Sequence, residues 1–295
     1  MPSFTHEGRR IVYSEYGSGD RVLVLAHGLL MNRSMYGRLA PEMARRGNRV
    51  ITVDLLGHGE SDQPHDLANY SMTLFGSQIV ALLDHLELDQ AVIGGTSLGA
   101  NVSLEVAMLA PDRARGLFIE MPVLEHALIA TGAAFMPLGV ALYMGRPVMR
   151  LTAKLARRVP RSNFLADIAL DWMRRDPDAS LAVLLGLFFG RVAPPASERR
   201  GFRQPTLIIG HPNDPIHPFS DSDMLARELV NSELVDANSI LEWRINADRL
   251  NDELADFLER VWAEPDHSKP VVEGAHTNGK AELEDLGDPD LERRI

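Results

Sequence analysis

The chain has 295 residues, is 45% hydrophobic and 24% charged, and carries 30 basic against 41 acidic side chains, a net charge of −11. These are the proportions of an ordinary globular protein, and they exclude wholesale disorder, a collagen-like repeat and a basic nucleic-acid binder, because so acidic a chain repels phosphate. The absence of cysteine excludes disulfides, thiolate metal sites, iron–sulfur clusters and a thiol nucleophile.

The opening MPSFTHEGRRIVYSEYG lacks the basic start, apolar stretch and small-residue cleavage site of a signal peptide, so a cytoplasmic protein is expected. Arg10–Tyr16 and Arg21–Ala26 read as strands joined by the turn residues Gly17 to Asp20. A helix over Arg33–Arg46, a strand over Arg49–Val53, a helix over Thr73–Leu86 and a strand over Gln90–Gly94 follow. Next come a helix over Leu98–Leu109, stopped by Pro111, and a strand over Leu117–Glu120. Strand and helix alternating at this pitch imply an α/β fold, with a mostly parallel, doubly wound sheet covered on both faces.

Between Leu124 and Arg200 the alternation breaks into helical apolar spacing without strand signals, which fits a helical cap. Ala127 to Gly145 runs 19 residues without a charge, close to the length of a membrane span, but Gly132, Pro137 and Gly139 favour a buried or substrate-facing cap segment. Arg150, Lys154, Arg157, Arg158 and Arg161 then recur at helical spacing, with Leu151, Leu155 and Val159 on another face. A solvated helix face accounts for that pattern, with weak contact of the cap with an anionic membrane surface as the alternative.

Alternation resumes with a strand at Thr206–Gly210, a helix over Phe219–Leu229 and a final helix over Ala247–Trp262. From Glu264 the chain carries nine acidic and four basic residues and few large apolar ones, the composition of a disordered acidic tail. The expected organisation is a core over 1–123 and 201–263, a cap over 124–200 and a tail over 264–295.

The chemistry concentrates at Gly95-Thr96-Ser97-Leu98-Gly99, a Gly-x-Ser-x-Gly pattern lying after an apolar strand and before a helix. Glycines on both sides permit a sharp turn that raises the serine above the sheet, while the Leu98 N–H and the helix N-terminus face a developing anion. Here the chain resembles the α/β-hydrolase family. Ala26-His27-Gly28-Leu29 is similar to that family's His-Gly oxyanion loop, and Asp54 to Ser61 (DLLGHGES) to its Asp-x-x-Gly-x-Gly-x-Ser turn. The resemblance covers about residues 10 to 262 and implies Ser97 as nucleophile with the Leu29 and Leu98 amides as oxyanion donors. It also implies Asp214 as the acid, since Gly210 to Pro218 fits the family's form after the next-to-last core strand. His27 and His58 read as turn and packing residues rather than metal ligands.

The base departs from the family pattern. A histidine is expected after the last strand, yet none occurs between His217 and His267, and the usual position holds Ser239 or Ile240. One reading takes the imidazole from His217, three residues beyond Asp214, or secondarily from His211, with Glu120 as an alternative acid. A second reading is a catalytically impaired fold that binds a ligand or a partner. A smaller third places acid–base chemistry on Glu242, Trp243 or Arg244. In the hydrolytic reading the greasy cap, including Leu181 to Phe189 (LAVLLGLFF), points to a small hydrophobic ester or thioester substrate and esterase- or lipase-like chemistry. It requires no metal or organic cofactor.

Overall fold

The computed structural model describes residues 1–160, 167, 170–171, 173–239 and 242–263. The acidic segment 264–295, Arg161 and Ile240 lie outside the described residues. Eight strands form one sheet: β1 (Ser3–His6), β2 (Arg9–Tyr16), β3 (Val22–Ala26), β4 (Arg49–Asp54), β5 (Ala91–Thr96), β6 (Ala114–Glu120), β7 (Thr206–Gly210) and β8 (Ser232–Asp236). Their order is β1-β2-β4-β3-β5-β6-β7-β8. The β1–β2 and β2–β4 pairs are antiparallel and the others parallel.

The apolar runs VLVLA of β3 and AVIGGT of β5 are buried at every position, as strands covered on both faces must be. Alternate side chains of β3 feed two cores. Val22, Val24 and Ala26 pack with α2 (Met72–His85) and α3 (Leu98–Leu109), while Leu23 and Leu25 pack with α1 (Leu39–Arg45) and the C-terminal helix Asp248–Ala263. The sheet is therefore doubly wound, and the carboxyl ends of β3, β5, β6 and β7 meet at one edge.

Four local features differ from the sequence expectation. The helix expected over Arg33–Arg46 is split into a single 3₁₀ turn, Arg33–Tyr36, and α1. Pro41 explains the split, since it has no N–H for the Gly37 carbonyl and its ring would collide with that carbonyl in a continuous helix. β1 has only four residues, and its hairpin with β2 turns through Glu7 and Gly8, both at positive φ. β8 is a partly exposed edge strand without the long apolar run of its neighbours. The short helix Glu242–Ile245 also has no counterpart in the apolar periodicity.

Between β6 and β7 the described residues are helical: α4 (Leu128–Met144), α5 (Arg146–Ala156), α6 (Pro177–Phe188) and α7 (Ala196–Arg199). α8 (Phe219–Glu228), α9 (Glu242–Ile245) and α10 (Asp248–Ala263) follow β7. Pro137 is accommodated inside α4, and the chain turns by 92° between α4 and α5. The charge-free run, expected to be buried or substrate-facing, has only Leu142 buried within α4, while Leu128, Phe135 and Val140 line the cavity that Ser97 borders. No single helix among the described residues is long and apolar enough to cross a membrane.

Two acids anchor the helical insertion. Asp176 caps α6 by accepting the Asp178 and Ala179 amides at 2.9 and 3.0 Å, with Pro177 in the first turn where no N–H is needed. Asp221, fully buried in α8, accepts the amides of Leu124 (2.7 Å), His126 (3.0 Å) and Ala127 (3.0 Å) at the entrance to α4. Replacing it by alanine removes the acceptor of three amides, of which those of Leu124 and Ala127 are buried. Asp221→Ala is expected to cost at least ~3 kcal/mol, read as a lowered urea midpoint. Asp221→Asn, which keeps one carbonyl acceptor, should lose distinctly less.

Candidate active site

The turn from β5 into α3 places Ser97 at φ 56°, ψ −109°, a conformation that a non-glycine residue adopts only when its surroundings enforce it. The enforcement comes from the flanking glycines. A Cβ on Gly95 would stand 2.2 Å from the Ala26 carbonyl oxygen, and one on Gly99 would stand 1.8 Å from it. Glycine lets the turn press against the end of β3, and the Ser97 amide is held by the Glu120 carbonyl at 2.8 Å. Leu98 opens α3, so its N–H has no carbonyl partner within the helix.

Ser97, Leu98 and Leu29 border a cavity of about 760 Å³. Its wall is mainly apolar, with Met72, Phe135, Leu181 and Leu184 among the lining residues. Asn101, one of the few polar side chains there, is already occupied: it donates to the Val123 and Val192 carbonyls at 2.7 and 2.8 Å and accepts the Val123 amide at 3.1 Å.

Ser97, His217 and Asp214 come together in a line. Ser97 Oγ lies 2.9 Å from His217 Nε2, and His217 Nδ1 lies 3.0 Å from Asp214 Oδ2. The other carboxylate oxygen, Asp214 Oδ1, accepts the amides of Ile216 at 2.8 Å and His217 at 3.0 Å. One side chain thus closes its own turn and holds the imidazole. Burial pushes the Asp214 carboxyl upward, but the hydrogen bonds from the His217 ring and from the His217 and Ile216 amides outweigh it and hold the group at about 2.

The side chains of the alternative acid and base, Glu120 and His211, contact each other, whereas Ser97 Oγ is engaged by His217. His211 Nε2 is 3.2 Å from Glu120 Oε1, and His211 Nδ1 is 3.1 Å from the Ser239 carbonyl. Thr96 Oγ1 donates to the second Glu120 oxygen. The His211 ring therefore sits against the loop after β8, with Ser239 offering it a backbone carbonyl. Glu242 and Trp243 are likewise engaged elsewhere. Glu242 pairs with Arg249 at 2.9 Å, and Trp243 packs edge-on against Phe118 with its Nε1–H donated to Asn251 at 2.7 Å.

His27 and His58 are buried acceptors, with the Leu55 amide donating to His27 Nε2 at 3.2 Å and the Leu30 amide to His58 Nε2 at 3.4 Å. Burial pushes His27 down to about 3 and His58 well below its ordinary value, so both remain neutral. They tie the Gly28–Leu30 loop to the turn after β4. Asp54 completes that tie: it pairs with Arg33 and accepts the Arg33 and Glu60 amides at 2.7 and 2.9 Å. Arg175, which no motif marks, reaches from the insertion to the Met31 carbonyl at 3.1 Å and the Gly57 carbonyl at 3.2 Å. It fixes both loops from above.

A family model described as the alpha/beta hydrolase fold matches residues 21–148. Among curated proteins, the chain is 34% identical over 110 residues to "Bifunctional epoxide hydrolase 2" of Sus scrofa, a match that covers 37% of this chain and 20% of that relative. Among solved structures, it is similar to the enol-lactonase from Burkholderia xenovorans LB400, with a TM-score of 0.70 and 19% identity, covering 88% of this chain and all of that one. It is also similar to a thermophilic esterase from Thermogutta terrifontis, with a TM-score of 0.70 and 21% identity over 88% and 97% of the two chains. The matched segment spans only a fifth of the length of the epoxide hydrolase, and the structural likenesses speak for the fold.

The depressed Asp214 carboxyl makes a signed prediction for stability. With a folded value of about 2 against an ordinary 3.8, the group contributes stability that is fully present above the ordinary value. That contribution is lost as pH falls through the folded value. The difference in unfolding free energy between wild type and Asp214→Asn should therefore be largest at neutral pH and shrink on acidification to about pH 2. Urea titrations across that range measure it.

Proposed function

We propose, on the premise that the chain belongs to the α/β-hydrolase fold family, that it is a serine hydrolase cleaving hydrophobic carboxylic esters or thioesters through an acyl-enzyme. The observation that carries this reading is the continuous Ser97–His217–Asp214 relay, with contacts of 2.9 and 3.0 Å, at the wall of an apolar cavity. A base needs reach and a partner, and its place in the chain is secondary. The relay weighs against a catalytically impaired fold, a reading that rested on the missing C-terminal histidine.

In the first half-reaction Ser97 Oγ attacks the carbonyl carbon while His217 Nε2 takes the hydroxyl proton. The carbonyl electron pair moves to oxygen, and the Leu29 and Leu98 amides hold the resulting oxyanion. Collapse of the tetrahedral intermediate breaks the bond to the alcohol or thiol, which leaves with the proton from the imidazolium. Water, deprotonated by the same imidazole, then releases the acid and restores Ser97. Asp214 remains ionised throughout, keeps Nδ1 protonated and stabilises the imidazolium.

The cavity volume of about 760 Å³ falls in the range of small-molecule sites. Its Leu, Met and Phe lining favours an extended hydrocarbon acyl group over a charged one. That an esterase and an enol-lactonase are among the similar structures supports attack at an ester-type carbonyl.

A fluorophosphonate should form a covalent adduct with the wild type, visible by intact mass, and none with Ser97→Ala. His217→Ala should slow both adduct formation and the turnover of aryl esters by roughly 10²–10⁴-fold, while His211→Ala leaves Ser97 labelled. An unlabelled wild-type protein, or labelling that survives Ser97→Ala, would rule the reading out.

A further inference from the structure

The chemistry uses neither the outer side of α4 nor the basic stretch of α5. Most of the exposed large hydrophobic side chains among the described residues lie between Leu128 and Phe189. On α5, Ala153 and Ala156 face inward and are buried, whereas Val148, Leu151, Leu155 and, just beyond the helix, Val159 are 45% to 66% exposed. Their spacing of three or four residues makes one apolar stripe. It points away from the protein.

Charge is distributed just as unevenly. From Ala127 to Pro160 there is no Asp or Glu, yet the segment carries Arg146, Arg150, Lys154, Arg157 and Arg158 on a chain of net charge −11. Arg146 and Arg150 pair with Asp178. Lys154 and Arg158 are exposed beside the apolar stripe, and Arg157, on another side, donates its Nε–H to the Arg174 carbonyl at 3.0 Å; none of the three has an ion pair among the described residues. At the adjacent cavity, Met136, Val140, Tyr143, Met144, Phe188 and Phe189 are lining residues and yet are themselves exposed. The rim is as greasy as the wall.

We infer that the outer face of α5, together with the apolar rim formed by α4 and Phe188–Phe189, docks on an anionic lipid surface. An exposed apolar stripe flanked by unpaired cations is the pattern of a helix lying in the headgroup region. The acidic remainder of the molecule is repelled by the same surface, so only this face is presented to it. No single described helix is long and apolar enough to span a membrane. Although the bent α4–α5 pair is long and apolar enough when taken together, α5 carries Arg146, Arg150 and Lys154, which favours an association at the surface over one across it. A second copy of the chain fits the face poorly, because a two-fold pair about α5 would bring Lys154 and Arg158 of both copies together. Docking sets the cavity mouth against the acyl chains, and it holds whether or not Ser97 is reactive.

The test uses the full chain carrying Ser97→Ala, so that no lipid is hydrolysed, and flotation with vesicles of phosphatidylcholine alone or mixed with phosphatidylglycerol. The protein should float with the anionic vesicles and be released as salt rises. Lys154→Ala/Arg158→Ala should lower partitioning by roughly 25-fold, and Leu151→Ser/Leu155→Ser should abolish it, with unfolding midpoints held as the check on folding. Failure to float, equal binding to phosphatidylcholine alone, or binding unchanged in both variants would overturn the inference. So would a dimer in light scattering that Leu151→Ser/Leu155→Ser dissolves, since the face would then belong to a second copy.

Discussion

The architecture of the site depends on how closely the β5–α3 turn approaches the end of β3. With hydrogen at both Gly95 and Gly99, the turn packs onto the Ala26 carbonyl at a distance that no Cβ could share. That contact brings Ser97 and the first amide of α3 beside the loop that follows Ala26. The neutral rings of His27 and His58, the Asp54–Arg33 pair and Arg175 then hold that loop from the other side. Strained backbone at Ser97 persists because these buried and partly buried supports over-determine its surroundings.

Much of this was open to reading from the residues alone. Parallel strands covered on both faces need uninterrupted apolar runs, so β3, β5 and β7 stand out in the sequence, and a serine between glycines after such a run marks the turn. Asp214 and His217 are visible as neighbours on the loop after β7. Elements outside this logic were harder. β1 is four residues of mixed polarity paired only at the sheet edge, and the break before α1 follows from a single proline inside otherwise helical spacing. Glu120 and His211 are titratable, stand at the carboxyl ends of β6 and β7 and are suitably typed for acid and base. Only the packing reveals that they contact each other.

Long-range contacts were the least legible. Asp221 accepts amides 94 to 97 residues away, and Arg175 reaches a carbonyl 144 residues back; neither belongs to a local pattern. Periodicity has a related limit. It identifies an apolar stripe on α5 but not what the stripe faces, and in this fold the small residues Ala153 and Ala156 turn inward while the larger ones turn outward. The insertion is accordingly two-sided, with one apolar surface enclosing the cavity and another in contact with solvent. Its attachment to the core combines the polar ties of Asp221, Asn101 and Arg175 with the packing of Ala182 and Val183 into the main core.

The placement of acid and base on one short loop has a mechanical consequence. When the two groups sit on separate loops, a relay has two joints, and thermal displacement of either loop lengthens a different hydrogen bond. Here Asp214 grips the Ile216 and His217 amides with one oxygen and the imidazole with the other, so the pair moves as a rigid lever. Breathing of the sheet edge can open only the contact between His217 and Ser97. Alignment is then governed by a single distance, and the loop after β8 can fluctuate without disturbing it.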